Sequence, residues 1–111
     1  MTEREMLKFA AKAAGIELLW TFGGIPVNTP TVFKGLSSDE TWNPLIDDGD
    51  ALRLMVKLGL GVSVPLGYKR TDVVAFSDSR INVSESHGSD PLAATRRAIV
   101  RAAAEIGRKM P

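Results

Sequence analysis

The sequence predicts an α+β domain with a short, mainly antiparallel sheet of about five strands and three helices, in the order αββαβββα. Three observations carry this. Capped helical patterns occur near the start, the middle and the end of the chain. Short alternating segments rich in strand formers run between them. Strands that come in runs, with helices set apart, pair antiparallel more readily than parallel. At 111 residues the chain suits a single domain, 1–111.

The elements follow in order. Thr2 with Glu5 forms a capping-box pattern, and Met6, Leu7, Ala10, Ala11 and Ala14 recur at helical spacing, so the first helix is expected over 3–14. Gly15 follows where a positive φ ends a helix. Ile16–Phe22 and Thr31–Leu36 are strand candidates, a hairpin with a long connection, and Ile16, Leu18 and Trp20 share one face of the first. Ser37–Thr41 is polar and reads as a loop.

Asn43-Pro44 signals a turn, and Asp47, Asp48 and Asp50 precede Ala51, Leu52, Leu54, Met55, Val56 and Leu58. Acids there cap a helix and meet its positive dipole end. That helix ends at Gly59 and is apolar on more than one face, which predicts a buried organiser. Leu60–Leu66, Asp72–Ser77 and Arg80–Ser84 then read as a three-strand meander, with a tight joint at Ser77-Asp78-Ser79. Asp90 in N-cap position and Pro91 at the first helical position open the last helix. Leu92, Thr95, Ile99, Ala102 and Ile106 form its apolar stripe, with Arg96, Arg97, Arg101, Glu105 and Arg108 opposite, so it is expected to be the outer helix. Glu105 is placed to pair with Arg101 and Lys109, while Gly107 and Pro111 bracket the end.

Composition narrows function. Apolar residues make up 44% and charged residues 24%, with a net charge of +1 and no cysteine. The chain is no polycation, and it offers no disulfide, thiolate metal site or cysteine nucleophile. Charge is nonetheless uneven. Residues 37–50 hold five acids and no base, whereas 90–109 hold four arginines and Lys109 against Asp90 and Glu105. A dipolar molecule of this kind favours oriented association, including with itself. No apolar run is long enough for a membrane helix, and the charged N-terminus lacks the pattern of a signal peptide, so a cytoplasmic protein is expected.

No catalytic or cofactor motif emerges. Asp47-Asp48-Gly49-Asp50 fails the calcium-loop pattern, which needs Gly at the sixth place and Glu at the twelfth, where Leu52 and Leu58 stand. His87 is the one histidine and sits in a serine-rich stretch with no nucleophile-elbow pattern, which reads as a solvated loop residue. Gly23-Gly24 and Gly59-x-Gly61 lack the lysine and following helix of a phosphate loop. Trp42 is either a core anchor or an exposed contact residue, with the core role favoured.

Two segments carry a family resemblance. One is Trp42-Asn43-Pro44-Leu45-Ile46-Asp47-Asp48-Gly49-Asp50-Ala51-Leu52-Arg53-Leu54. The other is Asp90-Pro91 with Ala94-Thr95-Arg96-Arg97-Ala98-Ile99-Val100-Arg101-Ala102-Ala103-Ala104-Glu105. Both resemble small phage and prophage proteins of the phage ABA-sandwich domain family. The resemblance implies α/β/α layering and a viral origin, and carries over no functional residue. With it, the expectation is a non-enzymatic phage or prophage accessory protein without a cofactor. It would bind a host protein or complex inside the bacterial host, with an anti-defence inhibitor such as an anti-CRISPR protein as the sharpest version. Asp39, Glu40, Trp42, Asp47 and Asp48 are the candidate partner-binding residues. The alternative is nucleic-acid contact through Arg96, Arg97 and Arg101. A homodimer is expected if three helices leave an apolar sheet face uncovered.

Overall fold

The first helix, α1 (Glu3–Ala14), starts and stops where its capping residues dictate. Thr2 Oγ1 accepts the Glu5 amide at 3.1 Å and donates to the Glu5 carboxylate at 3.3 Å. Gly15 closes the helix at φ +70°, the left-handed region where a side chain would be strained. A computed structural model describes residues 1–20, 32–34 and 42–111 of the chain.

After α1 come β1 (Leu18–Trp20) and β2 (Val32–Lys34), paired antiparallel with Leu18 opposite Lys34. The outer residues expected in these strands, 21–22, 31 and 35–36, their connection over 23–30 and the polar loop at 37–41, including Asp39 and Glu40, lie outside the described residues. Next is α2 (Asp48–Leu58), capped by Asp47 and closed by Gly59 at φ +63°. β3 (Leu60–Ser63), a 3-10 turn (Leu66–Tyr68), β4 (Arg70–Ala75), β5 (Asp78–Ser86) and α3 (Pro91–Lys109) complete the chain.

The single sheet of about five strands does not form. β3, β4 and β5 make a three-stranded antiparallel sheet in that order, and β1 with β2 makes a separate two-stranded ribbon. The 3-10 turn also interrupts the expected order. Strand pairing stops short of Pro65, which has no N–H to give a ladder, so the extended run expected through Leu66 ends at Ser63. The β4–β5 joint also lies earlier than expected. Phe76 and Ser77 form the turn, and Asp78 opens β5 opposite Ala75. The register then jumps, because Val74 pairs with Asn82. Asp78 stabilises the irregular stretch by accepting the Arg80 amide at 3.1 Å, and Ile81 turns into the core.

One face of this sheet is apolar and covered. Thr71, Val73, Ala75, Ile81 and Val83 are buried there. The alternate positions Asp72, Val74, Asn82 and Ser84 are half-buried or exposed. Among the described residues, helices cover the first face only, so the structure shows one helical layer on the sheet where α/β/α layering was expected.

The helices exchange the roles expected of them. α3 lies at the centre, packed against α1, α2 and all three strands of the sheet, and buries Ala94, Ala98, Ile99, Val100, Ala102, Ala103, Ala104 and Gly107. α2 buries only Asp50, Ala51 and Leu54, and leaves Leu52 and Val56 exposed. Leu92, placed on the α3 apolar stripe by its spacing, is also exposed. Alanine explains the reversal. A helix faced with alanine allows neighbours to come closer than one faced with leucine. At the α1–α3 crossing the approach is so close that a Cβ on Gly107 would lie 1.9 Å from the Phe9 carbonyl oxygen. Gly107 is therefore an interior packing residue, and α3 runs past it to Lys109.

Candidate interaction surfaces

The Trp42–Asp50 segment, the strongest motif in the sequence, is a structural knot. Trp42 is 2% exposed and part of the core, so it is an anchor and not a contact residue. Asn43 folds the turn: its side-chain oxygen accepts the Leu45 amide at 3.0 Å, and its carbonyl accepts from Ile46 and Asp47. Asp50 is buried and closes the knot by accepting the Asn43 amide at 3.0 Å and Arg53 Nη2 at 2.8 Å. The three acids point to different partners. Asp47 caps the Asp50 amide at 2.8 Å, and Asp48 receives Arg96 Nη1 at 2.6 Å. Among the described residues no three His, Asp or Glu side chains gather as a metal site.

The arginines of α3 are engaged within the chain. Arg96 also donates to the Leu45 carbonyl at 2.9 Å, which ties α3 to the knot. Arg97 lies 3.7 Å from both Glu3 and Glu85. Arg101 binds Glu85 and donates to the Ser84 carbonyl at 3.2 Å. Glu105 pairs with Arg108, three residues on, and not with Arg101 or Lys109 as its four-residue spacing suggested. Lys109 instead lies 3.5 Å from Asp78. These pairs lock the last helix onto the ends of other elements, a tertiary arrangement that the sequence pattern of one helix does not contain.

His87 is half-buried, which corrects its reading as a solvated loop residue. Its backbone N–H meets the Lys69 carbonyl at 2.9 Å, extending the β4–β5 ladder by one step. Its Nε2 lies 2.9 Å from Thr71 Oγ1, which lies 2.7 Å from Thr95 Oγ1. Thr95 Oγ1 in turn donates to the Pro91 carbonyl at 2.8 Å. If Thr95 gives its proton to Pro91, Thr71 must give its own to Thr95, and His87 must donate from Nε2. This chain joins sheet to helix. Thr71 is fully buried, so its hydroxyl cannot meet a substrate.

Among the described residues, two of the open surfaces differ in kind. The first is the outer face of the sheet. Arg70, Asp72 and Val74 alternate along β4 onto this face. Tyr68 extends the row at one end, with the Arg70 guanidinium 5.2 Å from its ring centre. Phe76 extends it at the other, and its ring would lie 2.9 Å from a Cβ on Gly61. The neighbours across the strands are small or polar: Ser63 opposite Asp72 on β3, and Asn82 and Ser84 opposite Val74 and Asp72 on β5. Tyr68 and Phe76, 71% and 79% exposed, therefore stand clear of a shallow polar floor. The Ser84 hydroxyl, helped by Arg70, holds the Asp72 carboxyl below its ordinary value, against a smaller opposing effect of desolvation. At the hairpin end Arg80, through side chain and backbone, lowers Asp78 to about 2.

The second surface is aliphatic. A hollow of about 330 Å³ between α2, β3 and α3 is lined by Ala51, Leu52, Met55, Val62, Leu92 and Ile99, with Asp48 and Arg96 at its rim. Val56 continues this apolar surface along α2, flanked by Arg53 and Lys57. The sheet-face row belongs to no recognisable motif, and Asp48, Ala51 and Leu52 of the aliphatic surface lie in the 42–54 segment, whose pattern read as cap and buried helix. Exposure alone marks them, and exposure depends on the fold.

No protein-family model matches the chain, and no curated protein or solved structure matches it. Among the described residues no helix is long and apolar enough to cross a membrane.

Proposed function

We propose that this protein is a non-enzymatic accessory factor that binds a host macromolecule through the open face of its sheet. The row Tyr68, Arg70, Asp72, Val74 and Phe76 is the observation that carries this reading. Aromatic residues and arginine dominate the energetics of protein interfaces, because they combine large buried area with a polar end. Here the two aromatics flank β4 in the turns at its two ends, exposed, with small or polar neighbours between them that leave room for a partner. A protein partner is favoured over nucleic acid. Arg96, Arg97 and Arg101 each meet a carboxylate of the chain, and the open face carries Asp72 at its centre.

The resemblance of residues 42–60 and 90–107 to phage ABA-sandwich proteins supports a phage or prophage origin and action inside a bacterial host. The sharpest form of the reading is an anti-defence inhibitor, such as an anti-CRISPR protein, that works by occluding a surface. A bacterial host expressing the chain, challenged with a phage that its immunity targets, tests this. The chain is expected to restore plaque formation, and Tyr68→Ala with Phe76→Ala to abolish that effect while the circular dichroism stays unchanged. Full immunity across CRISPR-bearing hosts, together with no host protein whose capture depends on Tyr68 and Phe76, would remove the proposal.

A further inference from the structure

The three-stranded sheet ends at β5, and this edge is longer than the edge at β3. Among the described residues no strand pairs with the outer side of β5, which has nine residues. β3 has four and stops short of Pro65. In an antiparallel strand the main-chain groups of successive residues turn to opposite sides. His87 gives its N–H to the Lys69 carbonyl, in the same register as Glu85 opposite Thr71 and Val83 opposite Val73. Val83, Glu85 and His87 therefore bond toward β4, and Asn82 and Ser84 turn their N–H and C=O groups to the open side. Arg101 Nη1 reaches the Ser84 carbonyl from α3 at 3.2 Å, as that phase requires. It leaves the same oxygen a second lone pair for a ladder bond.

A hollow of about 220 Å³ adjoins this edge on the helix-covered side, lined by Met1, Met6, Val83, Arg97, Arg101 and Glu105. Met6 and Val83 are buried and make its apolar floor. It is smaller than the roughly 300 Å³ at which pockets for drug-sized ligands begin, and suits one inserted side chain. Arg97 is partly exposed and lies 3.7 Å from both Glu3 and Glu85. Those are ion-pair distances but too long for hydrogen bonds, so its planar set of N–H donors can still serve a carboxylate. Open ladder groups, a hollow for one side chain and a guanidinium thus stand together along one strand. We infer that the β5 edge takes an extended segment of a partner protein as a fourth strand of the sheet. The segment places an aliphatic side chain in the hollow and, two positions away on the same face, an acidic residue against Arg97. Main-chain bonds to Asn82 and Ser84 supply the attachment, and the hollow and Arg97 supply selectivity. The inference stands apart from the sheet-face reading, because the aromatic row takes no part in it.

The probe is a synthetic peptide, Thr-Glu-Thr-Leu-Thr-Glu-Thr, capped at both ends. Its leucine and both glutamates share one face, so either strand direction presents a carboxylate to Arg97. Titrated into the full isotope-labelled chain and followed by NMR, it should shift the amides of Asn82, Ser84 and Arg97 and leave those of Tyr68 and Phe76 in place. Asn82→Pro removes one outward N–H at an edge position, where proline is tolerated, and should weaken binding roughly tenfold. Arg97→Glu, a change on the surface of α3, should weaken it by a similar factor, as should lysine in place of both peptide glutamates. No movement of Asn82 and Ser84 up to the solubility limit of the peptide would overturn the inference, and so would shifts confined to the aromatic row. Undiminished binding to a folded Asn82→Pro chain would overturn the added strand, and undiminished binding to Arg97→Glu the acidic residue. Sedimentation of the wild-type chain at twice its mass, abolished by Asn82→Pro, would assign the edge to a second copy instead.

Discussion

Helices α2 and α3 differ in a way that hydrophobicity alone misjudges. α2 carries the larger aliphatic side chains and shows Leu52 and Val56 to solvent, while α3 is rich in alanine and occupies the centre. A large side chain is worth more when buried, but a small one decides which backbone can come closest. Alanine also suits the helix on its own account, with the most favourable intrinsic propensity. The centre of this fold is therefore set by the closest approach of backbones. The sequence expectation followed the apolar residues on more than one face of α2 and placed the organiser there.

The strongest way to break this comparison is at the α1–α3 crossing. Gly107→Ala places a methyl 1.9 Å from the Phe9 carbonyl oxygen, so the helices must separate. A loss of more than about 4 kcal/mol is expected, in the tail of single-substitution effects, read as a fall in the urea midpoint. Trp42→Ala, at the lead-in to α2, comes next. Removing a buried aromatic should cost about 3 kcal/mol or somewhat more, read as a fall in the urea midpoint.

Asp50→Ala sharpens the role of the knot. It leaves the Asn43 amide without its buried acceptor and should cost about 2 kcal/mol. Leu52→Ser and Val56→Ser probe the opposite case. Measured dilute enough that any dimer is dissociated, both should leave the denaturation midpoint within about 0.5 kcal/mol of wild type. A large loss from either would mean that α2 is a core helix after all.

The smallest expected effect is one of pH. Asp78 is lowered from 3.8 to about 2 by Arg80. A carboxyl depressed in the folded state stabilises the fold above its unfolded value, and that stabilisation fades as pH falls through the folded value. The hairpin end should therefore loosen between about pH 4 and pH 2, seen as faster amide exchange at Arg80 and Ile81. Asp78→Asn should remove that dependence, and an unchanged profile in the variant would count against the assignment.

Local chemistry made much of the fold legible. Thr2 with Glu5, Gly15, Asp47, Gly59, Asp90 and Pro91 mark the helix ends where the structure has them, because a cap acts within one turn of its own helix. The strand expected at Asp72–Ser77 overlaps β4, whose Thr71, Val73 and Ala75 are buried in turn. The capping role of Asp47 and the core role of Trp42 were legible too, since both follow from short-range spacing and size, whereas the partners of Asp48 and Asp50 were not.

What the sequence by itself determined is thus the three helices with their caps, and the presence of strands between them. These depend on hydrogen bonds and alternation within a few residues. Only the tertiary structure decided that the strands divide between two sheets, that α3 and not α2 is central, and that the α3 arginines are consumed by ion pairs within the chain. Only it put Tyr68 and Phe76 at the two ends of one open row. Those outcomes depend on how closely whole elements approach one another, a property of pairs of surfaces that no single segment encodes.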